Sequence, residues 1–199
     1  MGANMLRSAV CLLGFLGCSF ASALIVEGRT QEAAVTANKD AKSPNQPDNS
    51  NALIRKHRDE LKLSASSTWP GWPVENAFDD DPQSSWFSAG NDTAAHGKSP
   101  WVEVTFPVDV AVRRVTVLGN RDPQWPKGYT ILAGSIELRD KDGKRLAFDE
   151  NDGKGTFSDF DFKFAKAIGG VRSIRFTALG DQGKRNPHDD VAIGEFQVE

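Results

Sequence analysis

An all-β sandwich is the fold class predicted for the residues after Leu61. Apolar and polar positions alternate in short runs, turn residues interrupt those runs at short intervals, and no stretch reads as a long helix. Trp101-Val102-Glu103-Val104-Thr105-Phe106 alternates strictly, which puts Val102, Val104 and Phe106 on one face of a strand. Val112 to Leu118, Ile131 to Arg139, Val171 to Ala178 and Val191 to Val198 repeat the pattern, and Phe160, Phe162 and Phe164 share a face within Phe157 to Phe164. Asp142-Gly143 supplies a hairpin turn into Arg145-Leu146-Ala147-Phe148.

The chain leads into this region in two steps. Residues 1–23 carry one charge, Arg7, then the apolar run Ala9 to Gly17 and the small-residue pattern Ala21-Ser22-Ala23, which together read as a secretory signal peptide. The apolar run is too short to span a membrane. Export follows, to a secreted, periplasmic or cell-surface location. Both cysteines, Cys11 and Cys18, fall inside this segment. A second reading makes Phe15-Leu16-Gly17-Cys18 a degenerate lipobox that tethers the protein to a membrane through Cys18, although Phe15 and Leu16 fit that box poorly. Residues 24–59 shift to Ala, Asn, Lys, Ser, Pro and Gln and read as a flexible linker, with a short helix expected over Ala52 to Leu61. The sandwich domain is expected over residues 60–199.

The formal net charge of −3, with basic residues scattered among acids, argues against a nucleic-acid partner. Catalysis finds no support either. Gly-x-Ser-x-Gly, His-Glu-x-x-His and a Gly-rich phosphate loop are all missing from the sequence.

One stretch concentrates a physical conflict. In Asn76-Ala77-Phe78-Asp79-Asp80-Asp81-Pro82-Gln83-Ser84-Ser85-Trp86, Phe78 and Trp86 are large enough to be buried, while the acids between them need a partner if they follow. A bound cation resolves the conflict, and so does a string of backbone amides.

Ser64-Ala65-Ser66-Ser67, the Asn76 to Trp86 stretch, Pro100 to Phe106, Val112 to Asn120 and Val191 to Val198 follow one another in an order that resembles the discoidin, or coagulation-factor type C, domains and the related galactose-binding-like family 32 carbohydrate-binding modules. The resemblance covers most of the chain after Leu61. It implies a jelly-roll β-sandwich of about eight strands with ligand loops at one end. It also implies a structural calcium ion, whose ligands carried onto this chain are Asp79, Asp81, Ser84 and Glu195, with Asn76 as a fifth candidate. A hard divalent cation suits such an oxygen set. The alternative is that Asp79 and Asp81 cap their own turn while Glu195 lies exposed on an edge strand. The family usually has Gly where Asp80 stands and Thr where Ser84 stands. Asp tolerates the left-handed backbone better than most residues.

A sugar site needs a flat aromatic face and planar hydrogen-bonding groups. Two loops offer them. Trp69 and Trp72 sit in a proline-stiffened stretch, and Asn120, Arg121 and Trp125 in another; His96 is placed to reach the same end. Each has a plainer role open to it: packing under its loop for the tryptophans, pairing with a neighbouring acid for Arg121. His188 is a lone histidine, and Trp86 and Trp101 are assigned to the core or its edge. The function expected is an exported, non-catalytic carbohydrate-binding module with a glycan partner. The alternative is an adhesion, protein-binding or phospholipid-binding module on the same fold, with Trp69 and Trp72 as membrane spikes.

Overall fold

The computed structural model describes residues 51–186 and 188–199. The signal peptide expected over residues 1–23, the lipobox reading of Cys18 and the linker up to residue 50 lie outside the described residues. Among the described residues no helix is long and apolar enough to cross a membrane.

The chain enters through a short helix, α1 (Ala52–His57), continued by a 3-10 turn at Arg58–Glu60. Seven strands follow: β1 (Lys62–Ala65), β2 (Trp86–Phe87), β3 (Trp101–Gly119), β4 (Ile131–Arg139), β5 (Arg145–Asp152), β6 (Phe160–Asp181) and β7 (Ala192–Val198). They form one continuous antiparallel ladder in the order β2-β7-β3-β6-β4-β5, with β1 also on β3.

Two pairs of runs that the sequence presents as separate strands are each a single long strand. Val112 to Leu118 continues the strand begun at Trp101, and Val171 to Ala178 continues the one begun at Phe160. Between them the β3–β6 register slips at Thr105/Val110, Val110/Val112 and Val112/Arg114. Such bulges bend a strand and increase its twist. Gly170, at φ 74, takes the left-handed backbone that the bend in β6 uses. Pro107 and Gly169-Gly170 therefore turn corners within strands, where a sequence pattern suggests ends.

The bends make the layers. Before its bend β3 pairs with β1 and with the distal half of β6; after it, β3 pairs with β7 and the proximal half of β6. The two halves of β6 then face each other: Phe160 lies 5.0 Å and Phe162 6.2 Å from the ring of Phe176 on the same strand. Between the layers lies one apolar core that includes Val102, Val104, Phe106, Ile136, Leu138, Ile174, Phe196 and Val198. Phe160 and Phe162 are fully buried and Phe164 packs against the core, so all three share the face the alternation assigned them. The Asp142-Gly143 hairpin joins β4 to β5, with Gly143 at φ 79 and its N–H donated to the Asp140 carbonyl.

The helix expected over Ala52 to Leu61 occupies Ala52–His57 and packs on the sandwich. Ile54 and Asn51 are fully buried, and the His57 ring meets Phe106 edge-on at 6.0 Å. The packed domain thus reaches back at least to Asn51, ahead of the boundary expected at residue 60. Ile54, with Leu53 beside it, packs on a ready-made core and holds a helix too short to stand alone in water.

Candidate functional site

Two sites lie at the loop ends. The first surrounds the acid-rich loop. A 3-10 turn at Val74–Ala77 leads in, Phe78 anchors the loop against Phe196 of β7 with ring centroids 5.1 Å apart, and Trp86 closes it from β2, donating its indole N–H to the Ser67 carbonyl. Asp80 sits at φ 69, the left-handed backbone that the family's usual glycine would adopt freely. Its carboxylate accepts hydrogen bonds from Asn51 and Arg55 and pairs with Arg58. Burial by itself would raise this carboxyl, but the hydrogen bonds from Arg55 and Asn51 and the charges of Arg55 and Arg58 outweigh it and hold the group below its ordinary value.

Asp81 splits its functions. Its carboxylate accepts the Gln83 N–H and so caps the turn, while its carbonyl faces the Ser84 hydroxyl. Asp79 Oδ1 accepts the Asp81 N–H, and Asn76 donates its amide to the Ser85 carbonyl. Ser84 Oγ lies 2.7 Å from Asp79 Oδ2, 3.1 Å from the Asn76 carbonyl and 3.1 Å from the Asp81 carbonyl. One hydroxyl proton serves one of these acceptors. The remaining oxygens crowd around it as further acceptors.

Glu195 completes the picture. It lies on β7 opposite Leu118 of β3 and is 1 % exposed, which excludes the reading as an exposed edge residue. Asn51 donates to its Oε1 at 3.4 Å, and its Oε2 has no hydrogen-bond partner among the described residues. Burial, then the negative charges of Asp79 and Asp80, push its carboxyl up to about 8. Gly194 lets the loop in close: a Cβ there would stand 2.7 Å from the Gly119 carbonyl and 3.1 Å from that of Pro82. Among the described residues no three His, Cys, Asp or Glu side chains converge as a metal set. The oxygens here are mainly carbonyl and hydroxyl, with the Asp79 and Glu195 carboxylates, and that chemistry fits a hard cation.

The second site is an open concavity with about 350 Å³ of empty space, lined by Trp69, Trp72, Phe87, Trp125, Tyr129, His188 and Asp190. Three loops and the end of β2 build it. Trp69 N–H donates to the Phe87 carbonyl, Phe87 N–H to that of Trp72, and Ala192 N–H to that of Tyr129. Phe87, Tyr129 and Ala192 form a small core of their own beneath it. The rings hold one another at fixed angles: Trp72 meets Phe87 and Trp125 edge-on at 5.6 and 6.3 Å, and His188 stacks on Tyr129 at 5.4 Å with 8° between planes. Trp69 and Trp125 remain 42 % and 38 % exposed, so aromatic faces are presented to solvent.

Of the sequence-selected ligand residues, Trp69, Trp72 and Trp125 meet in this concavity. Asn120, Arg121 and His96 do not line it. Asn120 is buried, accepting from Ser85 Oγ and donating to the Trp125 carbonyl, so it shapes the loop that carries Trp125. Arg121 turns back to grip Asp159 through both carboxylate oxygens and covers the Phe157 ring at 4.4 Å. His96 lies 3.4 Å from Asp189. Phe87, Tyr129, His188 and Asp190 reach the site by pairing and loop closure. Tyr129 closes the loop that carries Trp125, and His188 stands in the sequence only as a lone histidine.

Asp190 lines this aromatic site at 3 % exposure, and its Oδ1 has no hydrogen-bond partner among the described residues. Burial raises its carboxyl to about 6, against the opposing charge of His188. Asp122 stands behind Trp72, accepting its indole N–H at 3.1 Å. With Asp190 it also keeps the Tyr129 hydroxyl above its ordinary value, after burial as the leading cause.

The sequence profile of the F5/8 type C domain matches residues 62–192. The fold is similar to that of a family 32 carbohydrate-binding module from C. perfringens NanJ, solved with galactose, at 17 % identity, a TM-score of 0.58 and coverage of 71 % of this chain and 95 % of that one. It is similar to a Streptococcus pneumoniae fucose-binding module at 15 % identity and a TM-score of 0.52, covering 69 % and 89 %. A chitosan-binding module from a Paenibacillus chitosanase/glucanase gives 18 % identity and a TM-score of 0.51, covering 69 % and 93 %. No curated protein matches the chain.

Proposed function

The chain belongs to the F5/8 type C, or discoidin, domain family, and on that premise we propose that it is an exported, non-catalytic carbohydrate-binding module whose ligand sits among Trp69, Trp72 and Trp125. The observation that carries the reading is the concavity itself: three tryptophans converge from two loops, two of them with solvent-facing rings, at the strand end where Phe87 and Tyr129 fix them. A pyranose offers such rings its C–H face, and edge-on packing keeps them from collapsing together. The galactose, fucose and chitosan named for the similar structures are of this ligand class.

Calcium, when bound, supplies positive charge to the crowded oxygens of the Asp79 loop. Asp79, the Asn76 and Asp81 carbonyls, Ser84 Oγ and Glu195 are the groups to hold it, and its part is to staple the loop to β7. The phospholipid alternative is weaker, because Trp72 is tied through its indole N–H to Asp122 and is not a free spike.

The test is a glycan array on the folded domain, with and without chelator, followed by titration of Trp125→Ala. Competable binding that falls by about tenfold or more in the variant supports the reading. Silence on every glycan, or full affinity without Trp125, refutes it.

A further inference from the structure

We propose that this concavity selects a sugar carrying a free ammonium group, with Asp190 as the residue that recognises the amine. The inference rests on the glycan reading above and narrows it to amino sugars. A pocket for a neutral sugar uses planar donors that give hydrogen bonds to ring hydroxyls, and three of the candidates near this one are committed elsewhere, with His188 the planar group left on the wall. Arg121 is committed to Asp159, Asn120 to the Trp125 carbonyl, and the Trp72 indole N–H to Asp122. None of the described lining residues is Lys or Arg.

Asp190 is the carboxylate on a wall of Trp69, Trp72, Trp125 and Tyr129, and its buried Oδ1 has no hydrogen-bond partner among the described residues. Asp122 lies behind Trp72, and Asp189 follows next to His96. A buried carboxylate without a partner is unfavourable until a proton or a cation reaches it. Aromatic faces add their own attraction for an ammonium, strongest over tryptophan. A charge-assisted hydrogen bond to Asp190 would satisfy the stranded carboxylate, which a hydroxyl or the neutral N–H of an N-acetyl group satisfies less well.

The experiment titrates the domain near neutral pH, by calorimetry or chemical-shift perturbation, with oligomers of glucosamine, oligomers of N-acetylglucosamine and galactose. The expected result is preference for the glucosamine oligomer by about tenfold or more over its N-acetylated counterpart, lost in Asp190→Asn with an unchanged thermal melt. Should that variant fail to fold, the wild type carries the test alone. The preference must shrink as pH falls through about 6, where Asp190 takes up a proton; His188 faces it across the site. Asp189, Tyr129 and Asp122 are the other ionisable groups around it. Equal or tighter binding of the N-acetylated or neutral sugar overturns the proposal and leaves the glycan reading intact. A preference that survives in Asp190→Asn overturns it as well, since the attraction is then general acidity. No binding of any sugar overturns both.

Discussion

Replacing Glu195 by Gln in chelated buffer should make the domain more stable at alkaline pH and flatten its response to pH. The folded protein holds this carboxyl up to about 8, against an ordinary value of 4.5, through burial and the neighbouring charges of Asp79 and Asp80. Across that interval the folded state keeps a proton that the unfolded chain has released. The contribution is therefore fully present below 4.5 and is lost as pH rises through about 8. Asp190 acts in the same sense, but only up to about 6. Between about pH 6.5 and 8 the slope belongs to Glu195, at ~1.4 kcal/mol per pH unit, which makes ~2 kcal/mol over the window. Urea unfolding at the two ends of the window, in wild type and Glu195→Gln, measures it. Calcium should reverse the trend, because a cation binds the ionised carboxylate and its affinity climbs as the proton leaves. A chelated wild type that runs parallel to the variant across the window refutes the assigned burial. A wild type indifferent to calcium at the alkaline end refutes the cation site.

Three further outcomes follow from the packing. Ile54→Ala should destabilise the domain by ~2–4 kcal/mol in chemical denaturation, because Ile54 is fully buried in the core; a freely hanging helix would show no change. Glu137 is held down to about 2 chiefly by the Arg139 hydrogen bond, with burial opposing and Arg145 assisting. Its stabilisation is present above 4.5 and is lost as pH falls through about 2, so Glu137→Gln should weaken the fold by ~2 kcal/mol at neutral pH and flatten the acid limb of a stability profile; the figure is reduced for the solvent around Arg145. Gly119→Ala would set a Cβ 1.7 Å from the Phe157 carbonyl, a backbone atom, and should cost at least ~3 kcal/mol or abolish soluble expression.

Much of the scaffold was legible because alternation reports a buried face directly. Val102, Val104 and Phe106, and the run from Phe160 to Phe164, fall where a period of two puts them. The bends were not legible. The runs ending at Phe106 and Phe164 stand apart in the sequence from those starting at Val112 and Val171, and whether the residues between, Pro107 and Gly169-Gly170 among them, end a strand or turn it within the ladder depends on what lies across from them. The helix at Ala52–His57 is expected from the sequence, but its packing on the domain was not legible for a related reason: its one fully buried residue, Ile54, gains its stability from a core assembled from strands far along the chain.

The two sites divide along the same line. The sequence by itself determined the class of the chain, the oxygen-rich loop between Phe78 and Trp86, and the tryptophans at the loop ends, since these depend on residue type and short spacing. Tertiary structure alone decided which polar groups were left over for a ligand. Arg121 and Asn120 have the right chemistry for a sugar, but Asp159 and the Trp125 carbonyl claim them. Asp190, unremarkable in a run of acids, becomes the stranded acceptor of the pocket because burial takes its water away and no neighbour replaces it. Hydrogen-bonding capacity is written in the residue; whether it is already spent depends on partners brought close only by folding.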